Sequence, residues 1–148
     1  MVRLVPRTIV VGVDVRTDAP GILDATFALG ETVAARVVVV HVVGQPHDRA
    51  VDAAALSEIV DASRRRVGAR LPSDEVLLVG GDPAARLREV AASELADLIV
   101  VGRGGCDGAG GPGPVTRALL TAADRPVLTV CGAGVGQLRP QPAVFAAV

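Results

Sequence analysis

Continuous apolar runs rich in β-branched residues recur five times along the chain, and each predicts a strand that is buried on both faces of a parallel sheet. Their sequences are TIVVGVD, RVVVVHVV, EVLLVGG, DLIVVG and RPVLTVC, at residues 8–14, 36–43, 75–81, 97–102 and 125–131. Segments with helical spacing of apolar residues separate them. This alternation predicts an α/β, Rossmann-like fold: a five-stranded parallel sheet of order 3-2-1-4-5 with helices on both faces.

Each connecting segment carries helix signals. The first helix is expected from Asp18, as the N-cap, to about Ala35, and the fourth from Pro114 to Ala123. The third has Asp82 as its cap and Pro83 at its first position. The residues expected to face the core are Leu56, Val60, Val67 and Leu71 in the second helix and Leu87, Val90 and Leu95 in the third. The run Arg64, Arg65 and Arg66 is expected on the solvated outer face of the second helix.

The length and composition fit one domain and exclude several partners. The 148 residues are expected to form a domain over residues 1–131 and a tail over 132–148 that has no core of its own. Trp and Tyr are absent and the net charge is −1 with both signs interspersed, so no nucleic-acid or membrane surface is predicted. No apolar run reaches the length of a membrane span and no signal peptide is visible. Cys106 and Cys131 suit reduced thiols, so a cytoplasmic location is expected.

The chemistry available to the chain argues against an enzyme. All fifteen basic residues are Arg, which rules out a Walker A lysine and a Schiff-base lysine. No serine lies in a G-x-S-x-G motif. His41 and His47 have no third ligand at metal-site spacing, and a packed polar residue is the preferred interpretation of His41. We therefore expect neither a catalytic residue nor a metal site.

One crevice is predicted as a binding site. In the order 3-2-1-4-5 the first and fourth strands are neighbours whose connections leave in opposite directions, which opens a cleft at their carboxyl ends. Asp14 follows the first strand, and a loop with seven glycines, residues 102–113, follows the fourth. A glycine loop that leads into a helix N-terminus presents backbone N–H groups to an anion. The two segments are therefore expected to share a phosphate-binding cleft.

The chain resembles the universal stress protein family over about residues 6–131. The resemblance rests on TIVVGVD, VVVVHVV, GGDPAARLREVAASELADLIVVG and GPVTRALLTAADRPVLTV. It implies a regulatory binding module in the stress response, a homodimer that pairs through the last strand (residues 126–130), and a nucleotide-binding or a non-binding branch. It also implies the residues of an adenine nucleotide site. These are Val13, Asp14, Val15, Val42, Gly102, Arg103, Gly105, Gly113, Pro114, Val115 and Thr116.

The glycine loop departs from the binding branch in two ways. That branch has G, two residues, G, nine residues, G and then Ser or Thr, whereas only seven residues separate Gly105 from Gly113 here. Pro114 then replaces the hydroxyl residue, which removes a hydroxyl and a backbone N–H. We therefore expect binding of ATP or AMP to be weakened or lost, with Mg²⁺ present only alongside ATP. The alternative is a working nucleotide sensor in which Arg16 or Arg103 replaces the missing donors.

Three of these residues also have purely structural interpretations. Asp14 is suited equally to an adenosine contact and to capping the turn after the first strand. Val42 is suited to framing the adenine and to packing in the core. Thr116 is suited to a phosphate contact and to capping its own helix, with the cap slightly preferred.

Overall fold

The computed structural model describes residues 5–16, 19–102, 113–122, 124–131 and 139–140. In these residues helices and strands alternate as the sequence predicts. The helices are α1 (Ala19–Val33), α2 (Arg49–Val67), α3 (Pro83–Ser93) and α4 (Pro114–Ala122), and a 3₁₀ turn, Pro46–Asp48, precedes α2. The strands are β1 (Thr8–Gly12), β2 (Arg36–Val43), β3 (Ser73–Val79), β4 (Leu98–Gly102), β5 (Val127–Cys131) and β6 (Arg139–Pro140).

The sheet has the order β3-β2-β1-β4-β5-β6. The first five strands are parallel, which confirms the predicted fold class and strand order. The short β6 pairs antiparallel with β5, with Val130 opposite Pro140 and Cys131 opposite Arg139. Two residues of the expected tail thus extend the sheet.

Alternate residues of the central strands face two separate core layers, as the two-residue period of a strand requires. Ile9, Val11 and Val39 face α1 and α2, where they pack with Leu23 and Leu56. Val10, Val38 and Ile99 face the opposite side. There they pack with Leu87 and Ala91 of α3 and Leu119 of α4. Helices therefore cover both faces, as predicted. Within the described ranges, no helix is long and apolar enough to span a membrane.

Several element boundaries differ from the sequence prediction, and local backbone geometry explains them. β1 ends at Gly12 rather than at Asp14, because the Asp14 carboxylate accepts a hydrogen bond from the Arg16 N–H at 3.0 Å and turns the chain. β3 covers residues 73–79 rather than 75–81, since Gly80 and Gly81 have φ values of 77° and 89° that end the strand. The residue expected to cap α1, Asp18, lies outside the described residues.

The cap predicted for α3 is confirmed, but two residues expected on core-facing helix surfaces lie beyond the ends of their helices. The Asp82 carboxylate accepts from the Ala85 N–H at 3.0 Å, and Pro83 is the first residue of α3. α2 ends at Val67 because Gly68 adopts a left-handed conformation with φ 72°, so the prediction of Leu71 in that helix is wrong. Leu95 was also predicted wrongly. It follows the end of α3 with φ 53° and is 77% exposed.

The arginine run on α2 is only partly a solvated surface. Arg65 and Arg66 are exposed, as predicted, whereas Arg64 is half-buried. Arg64 donates to the Leu71 carbonyl at 2.8 Å, and its guanidinium lies 5.7 Å from the centre of the Phe27 ring. Arg66 binds both carboxylate oxygens of Asp24, a buried residue of α1. These contacts fix α2 against α1 and against the segment that leads to β3.

Candidate functional site

The carboxyl ends of β1 and β4 lie side by side, because Gly12 pairs with Val101 in the parallel register. α1, which follows β1, packs on one face of the sheet and α4, which follows β4, packs on the other, so the connections that leave the two strands diverge. We call the space between them the β1–β4 cleft. Its described borders are residues 13–16, Gly102 and the start of α4. The structure thus brings the two predicted segments to one edge of the sheet.

The glycines at the two strand ends leave room for a side chain from a neighbouring helix. A Cβ atom on Gly12 would lie 2.6 Å from Leu87 Cδ1, and one on Gly102 would lie 2.6 Å from Ile22 Cδ1. Both distances are too short for a real side chain without movement of its neighbour. The absence of side chains there lets α3 and α1 approach the sheet next to the cleft. At Gly102 the missing side chain leaves room for Ile22.

Residues 13–16, which we call the β1 tip, are held by β2. The Val13 N–H donates to the Val40 carbonyl at 3.0 Å, and the Val13 carbonyl lies 3.1 Å from His41 Nδ1. Val13 is buried and Val15 packs against the core, whereas Asp14 is exposed. The carboxylate of Asp14 caps the turn through the Arg16 N–H, the structural interpretation of this residue. Its exposure also leaves the carboxylate at the mouth of the cleft.

A buried histidine and carboxylate lie directly behind the β1 tip. His41 Nε2 is 2.8 Å from the Oδ2 atom of Asp52, and both residues are almost fully buried. The hydrogen bond from His41 is the main reason that the pKa of Asp52 is lowered below its ordinary value, and the charge of Arg16 lowers it further. His41 is thus a packed polar residue, as the sequence suggested, but one with a specific charged partner.

Sequence reasoning did not identify Asp52, although a signal was present. Asp52, Leu56 and Val60 occur at four-residue intervals, which places the carboxylate on the same inward face of α2 as two core residues. An acidic residue at an inward helix position requires a polar partner. His41 is the only histidine predicted to lie in a buried strand. The pair could therefore have been proposed from the sequence.

Arg16, one of the two side chains considered as a substitute phosphate ligand, is paired with carboxylates. Its guanidinium lies 3.4 Å from Asp48 Oδ2 and 3.5 Å from Asp52 Oδ1. These two carboxylates raise the pKa of Arg16, and the charge of Asp52 is the largest single cause. The side chain is 63% exposed and so can still move. In the observed arrangement, however, its charge is balanced by two acidic groups.

The helix that follows the glycine loop begins at the other border of the cleft. The Gly113 carbonyl accepts from the Arg117 N–H at 2.9 Å, and the exposed Pro114 is the first residue of α4. Val115 packs partly against the core. The buried Thr116 donates its hydroxyl to the Gly102 carbonyl at 2.5 Å, which fastens α4 to the end of β4. This contact is neither of the two roles predicted for Thr116.

The other predicted site residues are placed as follows. Val42 is half-buried, between the buried residues His41 and Val43 of β2. Arg103 and Gly105 lie outside the described residues. Across the described ranges, no group of three or more His, Cys, Asp or Glu side chains could hold a metal ion. The part of the cleft that is described therefore offers backbone groups, valine side chains and aspartates, with one paired arginine.

Comparison with known proteins agrees with this geometry. The model of the universal stress protein family matches residues 6–130, and no curated protein matches the chain. The solved structure of a universal stress protein in complex with cAMP is 26% identical, with a TM-score of 0.73, and the match covers 87% of this chain and 99% of that one.

Two further universal stress protein structures are similar. One, from Archaeoglobus fulgidus in complex with dAMP, is 26% identical with a TM-score of 0.66, over 85% of this chain and 98% of that one. Another, from Burkholderia pseudomallei, is 28% identical with a TM-score of 0.65, over 82% and 93%. The family match spans most of the sequence, and the fold and strand order agree with it. The chain therefore belongs to the universal stress protein family.

Proposed function

We propose that this chain is a regulatory binding module that takes an adenine nucleotide in the β1–β4 cleft, with an affinity for ATP that is weakened or lost. The related structures described as complexes contain cAMP and dAMP, which each carry a single phosphate group. The nucleoside would lie against Val42 and the β1 tip, and the phosphate would face the N-terminus of α4. A ligand with one phosphate needs the fewest donors from the start of α4, where the described residues offer few.

The scarcity of phosphate donors at the start of α4 is the observation that carries this proposal. Pro114 has no N–H, and the hydroxyl of Thr116 already donates to the Gly102 carbonyl. Each hydrogen bond to a charged oxygen contributes about 1.5–3 kcal/mol, so the N–H and the hydroxyl that Pro114 lacks cost about 3–6 kcal/mol. Micromolar affinity corresponds to about 8 kcal/mol. The remainder is about 2–5 kcal/mol, which places ATP binding near or beyond millimolar.

Isothermal titration calorimetry with cAMP, AMP and Mg²⁺-ATP tests the proposal. We expect cAMP and AMP to bind more tightly than ATP. Val42→Gln places a longer polar side chain at the adenine position and should weaken cAMP binding, whereas Val51→Gln, at a position that is 69% exposed, should not. A micromolar dissociation constant for ATP would contradict the proposal. Arg103 would then be the side chain to replace next, because it is the second arginine that the sequence suggested as a phosphate ligand.

We also propose that the module has no catalytic activity of its own. Both ring nitrogens of His41 face acceptors inside the protein, so this histidine is not placed to act as a base on a ligand. Incubation with Mg²⁺-ATP should release no more phosphate than a buffer blank. Release above the blank that disappears in a Gly105→Val variant would show that the chain is a hydrolase.

A cytoplasmic homodimer that acts in the stress response completes the proposal. Pairing through residues 126–130 would cover the outer edge of β5, an exposed ladder that otherwise invites association. β6 uses the same edge, since it pairs with Val130 and Cys131. The tail and a second subunit would therefore compete for β5. Light scattering should show more dimer after deletion of residues 132–148 than in the full chain, and less dimer after the deletion would contradict this competition.

A further inference from the structure

The β1 tip, β2 and α2 are joined by a closed ring of polar contacts. The Val13 carbonyl contacts His41, which contacts Asp52. Asp52 pairs with Arg16, whose backbone N–H binds the carboxylate of Asp14, the residue next to Val13. We call these five residues the His41 ring. It connects a buried charge on α2 with the backbone that borders the β1–β4 cleft.

The two partners of the imidazole determine how many protons it carries. The Val13 carbonyl can only accept, so Nδ1 at 3.1 Å must be the donor. The other partner, 2.8 Å from Nε2, is the carboxylate of Asp52, which is also only an acceptor while it is ionised. Its lowered pKa favours the ionised form. Both ring nitrogens are then donors, which is the state of the positively charged imidazolium.

We propose that His41 is a positioning residue, held as an imidazolium between Asp52 and the Val13 carbonyl, whose charge sets the backbone of the β1 tip and the affinity of the cleft for an anionic ligand. This inference rests on the proposed function for its ligand. Loss of the proton from Nε2 leaves two lone pairs facing each other across the His41–Asp52 contact. The pair then separates, and the imidazole that donates to the Val13 carbonyl moves with it.

The charges around the ring act in the same direction. Asp14 and Arg16 face it from the β1 tip, and Asp48 and Asp52 from the start of α2. His47 lies 3.5 Å from Asp48, and the residue beside His41 in β3 is Leu77, which has no charge. With a charged His41, three aspartates face two cations. Its deprotonation removes one cation, so an anionic ligand is repelled more strongly as pH rises.

Nuclear magnetic resonance of the ligand-free full chain tests the proton count. At about pH 6, both ring nitrogens of His41 should be protonated, and the amide signals of Val13, Val15 and Arg16 should change together with the charge of His41 as pH is raised. In Asp52→Asn, which removes the charged acceptor at Nε2, these amide signals should no longer change together with His41. An imidazole of His41 with an unprotonated Nε2 at pH 6 would overturn the inference. Amide signals of the β1 tip that change with the charge of His47 instead would also overturn it.

Binding of cAMP tests the effect on affinity. The phosphodiester of cAMP keeps one charge across this pH range, whereas the phosphate of AMP titrates near pH 6. In a His47→Gln background, which removes the other histidine, cAMP should bind about tenfold more weakly at pH 8.5 than at pH 6. His41→Gln should give an affinity that does not change with pH. An unchanged pH dependence in His41→Gln, or none in the parent, would contradict the coupling.

The two proposals fail in different ways. If the unsubstituted chain binds no cAMP at either pH, the proposed function is wrong and the coupling to affinity is wrong with it. The ligand-free spectra still show whether His41 is an imidazolium between Asp52 and the Val13 carbonyl. If cAMP binds but its affinity is independent of the charge of His41, the proposed function stands and this inference fails.

Discussion

Restoring the missing donor at the start of α4 should restore part of the affinity for ATP. Pro114 is exposed and begins the helix, so its replacement disturbs no core contact. Pro114→Ala returns one backbone N–H at a helix N-terminus, and Pro114→Ser returns the same N–H together with a hydroxyl. Each donor contributes about 1.5–3 kcal/mol to a charged oxygen, which corresponds to about one to two orders of magnitude in the dissociation constant.

The stability of the two variants provides an internal control. Removal of proline from a helical first turn costs about 0.4–1 kcal/mol, because the unfolded chain gains freedom. The melting temperature should therefore fall by a few degrees at most in both variants. Calorimetric titration with Mg²⁺-ATP should rank the affinities as Pro114→Ser, then Pro114→Ala, then the parent. If both variants fold and ATP affinity does not change, the lack of donors at α4 is not what weakens ATP binding.

Three further predictions concern stability. Ser63→Ala removes a buried hydroxyl that donates to Asp24 at 2.5 Å and should lower the free energy of unfolding in urea by about 1.5–3 kcal/mol, whereas the exposed Ser57→Ala should change it little. Leu95 has a left-handed backbone that glycine adopts without strain, so Leu95→Gly should raise the melting temperature. A lower melting temperature in this variant would show that the backbone at Leu95 is not strained. Because the pKa of Asp52 is lowered, its stabilisation is present above the ordinary pKa of an aspartate and is lost as the pH falls through the lower value in the folded chain. The difference in free energy of unfolding between the parent and Asp52→Asn should therefore shrink as the pH is lowered. A difference that stays constant would contradict an ionised Asp52 in the folded chain.

The strand order could be predicted because it depends on patterns that tertiary packing does not change. Buried parallel strands are continuous apolar runs, and right-handed crossovers leave few topologies for five alternating units. The meeting of the β1 and β4 ends followed from that order alone. The helix ends were harder to predict. Leu71 and Leu95 continue the apolar spacing of their helices, but a left-handed residue, Gly68 in one case and Leu95 itself in the other, ends the helix first.

The polar contacts at the site were less predictable than the backbone that carries them. The partners in the pair His41 and Asp52 are on different elements, and the hydroxyl of Thr116 reaches back across the glycine loop to Gly102. Such contacts depend on how helices are rotated and displaced on the sheet, which the period of a single segment does not determine. Buried polar residues at inward positions, such as Asp52 and Ser63, were the available signal. For Asp52 the sequence offers His41 as a partner, whereas only the folded chain identifies Asp24 as the partner of Ser63.

A crystal structure grown with equal concentrations of cAMP and Mg²⁺-ATP tests the central claim most directly. We expect density for cAMP in the β1–β4 cleft, with its base against Val42 and its phosphate facing the start of α4. Density for a firmly held triphosphate at Pro114, or for nucleotide bound elsewhere on the chain, would contradict it.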